Sequence, residues 1–458
     1  MISRTRVLVP SGVLGLGFDS EALARAVALS PNVICIDGGS TDSGPYSLGT
    51  STSKYSRAVC VREWRQLMQA RAALGIPLII GSSGTCGSDD MVNWMLDITR
   101  EIAAETGQDH DAAPLKVALL YTEQNKTNLQ EQLAQQRIKP LEPAVPLDQA
   151  ILDSCTHIVA LAGAEHIQAA LATGADIIIA GRTTDTAVVS ALPLARGCHP
   201  GACWHAAKIA ECGALCSTHP TSGVIVVDID DTGFTIYPTA DQAHCTPHSV
   251  SAHMLYENTD PFILYEPGGH LDVREARYEA LDDTRVRVTG SRWIPTQPYT
   301  VKLEGARLGG FQTTLLALLR SPRYVANARA WVKRLEGHLH REISASLSLS
   351  ETAFQLDFRL IGENATLGEL ETQTSTGHET GVLLIITAET QEMANEIGKL
   401  SNPFLLHYPL TDDESLPTFA FPYSPAQTAR GPLYEFCLNH ILELDEPMSA
   451  VRLEEVLV

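Results

Sequence analysis

Apolar positions in the first 185 residues fall into short, nearly continuous runs separated by stretches of helical spacing. Arg6–Pro10, Val33–Ile36, Pro77–Ile80, Lys116–Leu120, His157–Leu161 and Ala175–Ala180 have strand length, and most lack period-two alternation. That pattern predicts six strands covered on both faces. Amphipathic helices are predicted between them, from Ser20, which serves as cap, to Leu29, and over Tyr55–Leu74, Asp89–Glu105, Asn128–Gln136 and Ala164–Thr173. Strict strand-helix alternation implies an α/β fold, a large, mostly parallel-sheet, three-layer domain. Right-handed crossovers then gather the strand-end loops on one edge, where such sheets bind ligands.

Beyond Asp185 the pattern is mixed. Gly223–Asp228 and Phe234–Pro238 read as strands joined by an Asp-Asp-Thr-Gly turn, Arg285–Thr289 as a further extended element, and Gly310–Leu319 and Tyr324–Leu335 as helices. From Ser344 the composition shifts: Ser344–Ser350, Ala353–Leu360 and Val382–Ala388 are strand-like, Gln391–Leu400 is helical, and Pro, Phe and Tyr become frequent after Ser401. Residues 1–340 are therefore expected to form the α/β domain and 341–458 a smaller C-terminal α+β domain.

The chain has 54 acidic and 33 basic side chains among 458 residues, a formal charge of -21. A surface of that sign repels phosphate backbones and anionic lipid, so neither nucleic acid nor membrane is an expected partner. No segment reaches the roughly 20 apolar residues of a membrane span. The short apolar run after Met-Ile-Ser-Arg-Thr-Arg resembles a leader, but Pro10, Gly12, Gly15 and Gly17 interrupt it. The ten cysteines form no paired framework, and a reduced, cytoplasmic setting is expected.

Candidate chemistry concentrates in the strand-end loops. Asp37-Gly38-Gly39-Ser40-Thr41-Asp42-Ser43-Gly44-Pro45-Tyr46 combines glycines, hydroxyls and two carboxylates. It can orient a substrate or form ordinary Asx and Ser/Thr turns. Ser83-Gly84-Thr85 precedes a helix, a geometry in which N–H groups can cradle an anion. Gly181-Arg182-Thr183-Thr184-Asp185 offers a planar guanidinium that can clamp a carboxylate, with hydroxyls beside it and Asp185 as anchor or base. The competing reading is an arginine tying loops together. Glu211, between Ala210 and Cys212, is a candidate buried acid or base. His270, two residues before Asp272, is a candidate proton carrier, and Lys302 is the leading basic residue downstream. Asp37, Asp42, Asp89 and Asp185 end different strands and are candidates to converge on Mg²⁺ or another divalent cation. The Cys and His residues from Cys198 to Cys216 are too irregularly spaced for a zinc motif. The first loop lacks a dinucleotide fingerprint and no Walker A sequence is present, so neither nicotinamide nor ATP is expected.

Asp37–Tyr46, Ile80-Gly-Ser-Ser-Gly84, Gly181–Thr186, Glu211-Cys-Gly213, Leu271-Asp-Val273, Arg285–Gly290, Tyr299-Thr-Val-Lys302, His378–Val382, Phe419–Pro425 and Gly431–Tyr434 resemble the motifs of the acyclic terpene utilisation family, in its shorter branch. Lys208 stands where relatives often carry His, and Gly269-His270 replaces a more usual Thr-Pro pair. The resemblance implies catabolism, of branched acyclic terpenoids through CoA thioesters or, as for other members, of organic acids, and a small separate protein as partner. Together with Asp42, Arg182, Asp185, Glu211 and His270 as catalytic candidates, it points to a lyase or hydratase acting on a hydroxy- or unsaturated carboxylate or its thioester. Asp37, Gly38, Gly39, Ser40, Thr41, Tyr46, Ser83, Gly84, Thr183, Thr184 and Lys302 are the candidates to hold that substrate. The alternatives are a noncatalytic or half-site subunit that needs the partner, and a metal-assisted hydrolase or isomerase. A homo-oligomer is expected.

Overall fold

The computed structural model describes residues 4–106, 114–373 and 377–458; the first three residues of the leader-like start lie outside them. The chain forms two compact units, one built from Met1–Arg307 with Phe436–Val458 and the other from Leu308–Glu435. The sequence reading instead ended the first domain at 340.

The first unit begins β1 (Thr5–Val9), α1 (Ser20–Ala28), β2 (Val33–Asp37), α2 (Tyr46–Thr50), α3 (Arg57–Leu74), β3 (Leu78–Gly81), α4 (Asp89–Thr106) and β4 (Lys116–Tyr121). It continues α5 (Lys126–Ala134), β5 (Ile138–Pro140), α6 (Gln149–Ser154), β6 (Cys155–Ala160), α7 (Ala164–Ala172), β7 (Ile177–Ala180), α8 (Asp185–Ala195) and α9 (Pro200–Ala210). Then come β8 (Ile225–Ile229), β9 (Gly233–Pro238), α10 (Pro247–Ala252), β10 (Ile263–Glu266), β11 (Gly269–Asp272), β12 (Arg277–Ala280), β13 (Val286–Thr289) and β14 (Arg292–Pro295).

Ten strands form one sheet in the order β12-β13-β9-β8-β1-β2-β3-β7-β4, closed by β19 (Arg452–Leu457). Only the central five, β1, β2, β3, β7 and β4, pair in parallel. Antiparallel neighbours flank them on both sides. The sheet is thus mixed, not mostly parallel. The fifth predicted strand, β6, does not join it and pairs antiparallel with β15 (Tyr299–Leu319). An apolar run fixes burial, not the partner strand, which explains the difference.

Along the central strands alternate residues serve opposite faces. Val7, Cys35, Ile79, Leu120 and Ile178 pack with α7, α8 and α9, while Leu8, Ile36, Ile80, Leu119 and Ile179 pack with α1, α3 and α4. Asp19 rather than Ser20 caps α1, its carboxylate accepting from the N–H groups of Glu21 and Ala22. β10, β11 and β14 form a small antiparallel sheet.

The second unit holds the later part of β15, α11 (Pro322–Val325), α12 (Ala328–Leu347), β16 (Phe354–Ile361), β17 (Thr380–Ala388), α13 (Gln391–His407) and the first part of β18 (Gln427–Leu444). Residues 310–319, read as a helix, are strand. Phe311–Leu319 pairs with Thr380–Ala388, and the buried positions Thr313, Leu315, Ala317 and Leu319 alternate with less buried ones. Pairing overrides the helical preference of Leu and Ala. Helix α12 runs through 344–347, part of the segment read as a strand.

Candidate functional site

The carboxyl ends of the five parallel strands carry the glycine-rich loops, packed too closely for side chains at some positions. A Cβ on Gly38 would lie 2.6 Å from the Ser82 carbonyl oxygen, and one on Gly87 2.1 Å from the Arg182 nitrogen. The loops spend their N–H groups on one another: Gly38 donates to Gly81, Ser83 to Ala180, Thr85 to Gly38 and Gly87 to Ser83. The amides of Ser83, Thr85 and Gly87 are therefore taken, and the stretch expected to cradle an anion is a packing joint. Ser83 and Thr85 are buried, while Gly84 turns at φ +60° against Met91.

Arg182 is buried at the centre of this joint. Its Nε donates to Glu304 Oε2 at 3.1 Å, one terminal nitrogen to Ser82 Oγ at 2.9 Å and the Thr183 carbonyl at 3.2 Å, and the other to Thr41 Oγ1 at 3.3 Å. Four of its five N–H groups are thus committed within the protein. A bidentate clamp needs two free ones. Glu304 also accepts from Thr41 Oγ1 at 3.0 Å and from Lys302 Nζ at 3.0 Å. Burial pushes the Glu304 carboxyl up, but Arg182 and Lys302 outweigh it and hold the group well below its ordinary value.

Beside the joint lies a cleft of three cavities with shared lining. The first, about 510 Å³, includes Ser11, Gly12, Asp37, Ser40, Asp185, Glu211, Cys212, Tyr256 and Glu257. The second, about 280 Å³, includes Ser40, Asp42, Arg182, Thr183, Thr184, Asp185, Lys208, Glu211, Glu266 and Lys302. The third, also about 280 Å³, includes Leu161, Tyr265, Glu266, Pro267, Thr300 and Lys302.

Helix starts and ends set the charged groups. Thr184 caps α8 by accepting from the Ala187 N–H, which places Asp185 in the first turn. Every residue of α9 from Gly201 to Ala210 is buried, and its last turn presents Lys208 to Glu211, Nζ to Oε1 at 2.5 Å. Glu266, ending β10, accepts from Thr186, and its other oxygen is buried without a partner.

These carboxyls hold protons unusually well. Burial pushes Glu211 up to about 8; Asp185 and Glu266 add to the rise and Lys208 opposes it. Burial pushes Glu266 up to about 7 against hydrogen bonds from Thr184 and Thr186. Asp185 rises to about 6, again chiefly through burial, with Arg182 and Lys208 opposing. Asp37 rises through burial and the nearby Asp185; its Oδ2 accepts from the Gly39 N–H at 2.9 Å and its Oδ1 is buried without a partner. Burial lowers Lys208, but Glu211 reverses this and keeps its pKa above the ordinary lysine value. Four carboxyls and one ammonium in a desolvated space cannot all be ionised, so the cluster retains a proton near neutrality.

A raised carboxyl value makes the fold bind more protons than the unfolded chain, so stability falls as pH rises between the two values. The unfolding midpoint is expected to drop from about pH 4, the ordinary carboxyl range, to about pH 8, the decline ending for Asp185 near 6, for Glu266 near 7 and for Glu211 near 8. Melting curves across that range should show a shallower decline for Glu266→Gln; an identical slope would remove Glu266 from the cluster.

Of the residues singled out in the sequence, Asp37, Ser40, Asp42, Arg182, Thr183, Thr184, Asp185, Glu211 and Lys302 line the cleft. Gly38, Gly39, Thr41, Ser83 and Gly84 belong to the joint beneath it. Tyr46 is exposed and lines none of the three cavities. His270 lines none of them either, its Nδ1 is buried without a partner, and Asp272 is occupied by Arg274, Oδ2 to guanidinium at 2.6 Å, so no His270–Asp272 dyad forms. Asp89 is engaged with the Glu123 backbone and Arg452, away from the other three carboxylates proposed for a cation. Among the described residues no three His, Cys, Asp or Glu side chains are grouped to hold a metal ion. Lys208, Glu266 and Glu304 were not chosen from the sequence. Lys208 had a visible signal, a lone cation one turn before Glu211 in an otherwise apolar helix.

A mixed α/β fold with an acid-lined cleft at its parallel strand ends defines the general class. The chain belongs to the acyclic terpene utilisation family: the model of the family described as acyclic terpene utilisation family protein AtuA matches residues 95–410, more than half of the chain. No curated protein and no solved structure matches it. No helix among the described residues is long and apolar enough to cross a membrane.

Proposed function

We propose that the cleft is the active site of a lyase or hydratase that moves a proton and water alpha or beta to the carbonyl of a small carboxylate or its CoA thioester. The observation that carries this reading is the spread of carboxyl values around Lys208, with Asp185 near 6 and Glu211 near 8. Neighbouring acids driven apart in this way make an acid–base pair at neutral pH. Lys302, whose Nζ shares only one of its protons with Glu304, holds the substrate carboxylate or carbonyl oxygen. In dehydration, ionised Asp185 takes the proton from the carbon next to the carbonyl. Glu211 protonates the hydroxyl as its C–O bond breaks, water leaves, and a C=C bond forms. Proton return from Asp185 to Glu211 resets the pair, and hydration is the reverse.

The test is turnover by the purified chain on panels of hydroxy acids, unsaturated acids and their CoA thioesters, followed by absorbance of the conjugated product. Activity that disappears in Asp185→Asn and in Glu211→Gln supports the reading. Activity retained in both variants overturns it.

A further inference from the structure

Away from the cleft, two cysteines that are 282 positions apart meet: Cys155 Sγ and Cys437 Sγ lie 2.9 Å from each other. Cys155, at the start of β6, is buried, whereas Cys437, in β18, is half-buried. Both belong to the first unit, and neither lines any cavity of the cleft. The other cysteines are buried, apart from Cys212, which lies in the cleft.

We propose that Cys155 and Cys437 are a reversible thiol–disulfide pair, a redox modification site that low-molecular-weight disulfides oxidise. Contact between the sulfurs means that closure requires little backbone movement. The surroundings favour the thiolate at Cys437 and the protonated thiol at Cys155. Arg307 stands opposite Cys155 in the β6–β15 register, and Lys126 Nζ donates to the Cys155 carbonyl at 2.5 Å. The hydrogen bond from Cys155 and the charges of Arg307 and Lys126 hold the Cys437 thiol below its ordinary value, against the effect of burial.

The accessible Cys437 thiolate attacks one sulfur of oxidised glutathione, forming a mixed disulfide and releasing one glutathione thiolate. Cys155, losing its proton, attacks the Cys437 sulfur and expels the second. One S–S bond forms as one breaks, and two electrons and two protons pass from the protein thiols to glutathione. The register places this clip at Arg307, three residues along β15 from Glu304.

The full chain incubated with excess oxidised glutathione, quenched with acid and digested without reduction should yield a peptide linking Cys155 to Cys437, with the intact mass lower by two hydrogens and no retained glutathione. Dithiothreitol should restore the starting mass. Cys155→Ser should trap glutathione on Cys437, and Cys437→Ser should give no adduct at Cys155. Wild-type protein that retains glutathione on Cys437, or that is unmodified at both residues, overturns the proposal. The wild-type peptide map decides by itself if a serine variant does not fold.

Discussion

Arg182→Ala is expected to lower the free energy of unfolding by about 3–5 kcal/mol, the range for removing one partner of a buried ion pair. The truncation strands Glu304, buried and left with Lys302 and the Thr41 hydroxyl. It also removes donors from Ser82 Oγ and the Thr183 carbonyl, so the loops after β2, β3 and β7 lose their common tie. Arg182→Lys keeps a charge but cannot reach several partners through a planar fork, and its cost should be intermediate. Urea unfolding of the three proteins, with slopes compared as well as midpoints, measures this. An unchanged midpoint with turnover abolished would mean instead that the guanidinium acts on substrate.

The second large effect is on catalysis. Glu211→Gln should reduce kcat by about 10²–10⁴-fold, the usual contribution of a positioned acid. The pH profile is the stronger test. Asp185 must be ionised to act as the base, so kcat/KM rises through about pH 6, and Glu211 must be protonated to act as the acid, so it falls above about pH 8. Residual activity in Glu211→Gln should lose the upper limb and keep the lower one. A profile whose limbs do not move in either variant assigns the titrations elsewhere. Lys208→Met, which removes the ammonium that opposes both rises, should shift the lower limb upward.

The central strands and the loops that gather at their ends were legible because continuous apolar runs between helical stretches have few other solutions. Glu211 was legible as an acid in apolar company. What it faces was not: Lys208 lies one turn away on the same helix, but Asp185 and Glu266 reach it only through tertiary packing. Arg182 was found as the central side chain of its loop, yet its partner Glu304 comes from a strand 122 positions later, and the sequence favoured the clamp over the tie. His270 and Asp272 share a strand face by spacing, but Arg274, two residues on, occupies the carboxylate. The segment 310–319 was misassigned because its Thr, Leu and Ala satisfy helix and strand periods alike, and strand pairing, above all with β17, selects between them.

Strand β19 has a consequence for synthesis of the chain. Among the described residues it supplies the outer neighbour of β4, pairing residue for residue from Arg452↔Tyr121 to Leu457↔Lys116. Until β19 has been made, β4 is an open edge whose side chains Val117 to Leu120 are all buried in the finished fold. The nascent chain must therefore carry a sticky, unsatisfied border from the synthesis of β4 to that of β19. A nonsense change just upstream of Arg452 leaves that border uncovered, and it would be expected to send the product into inclusion bodies or to chaperones.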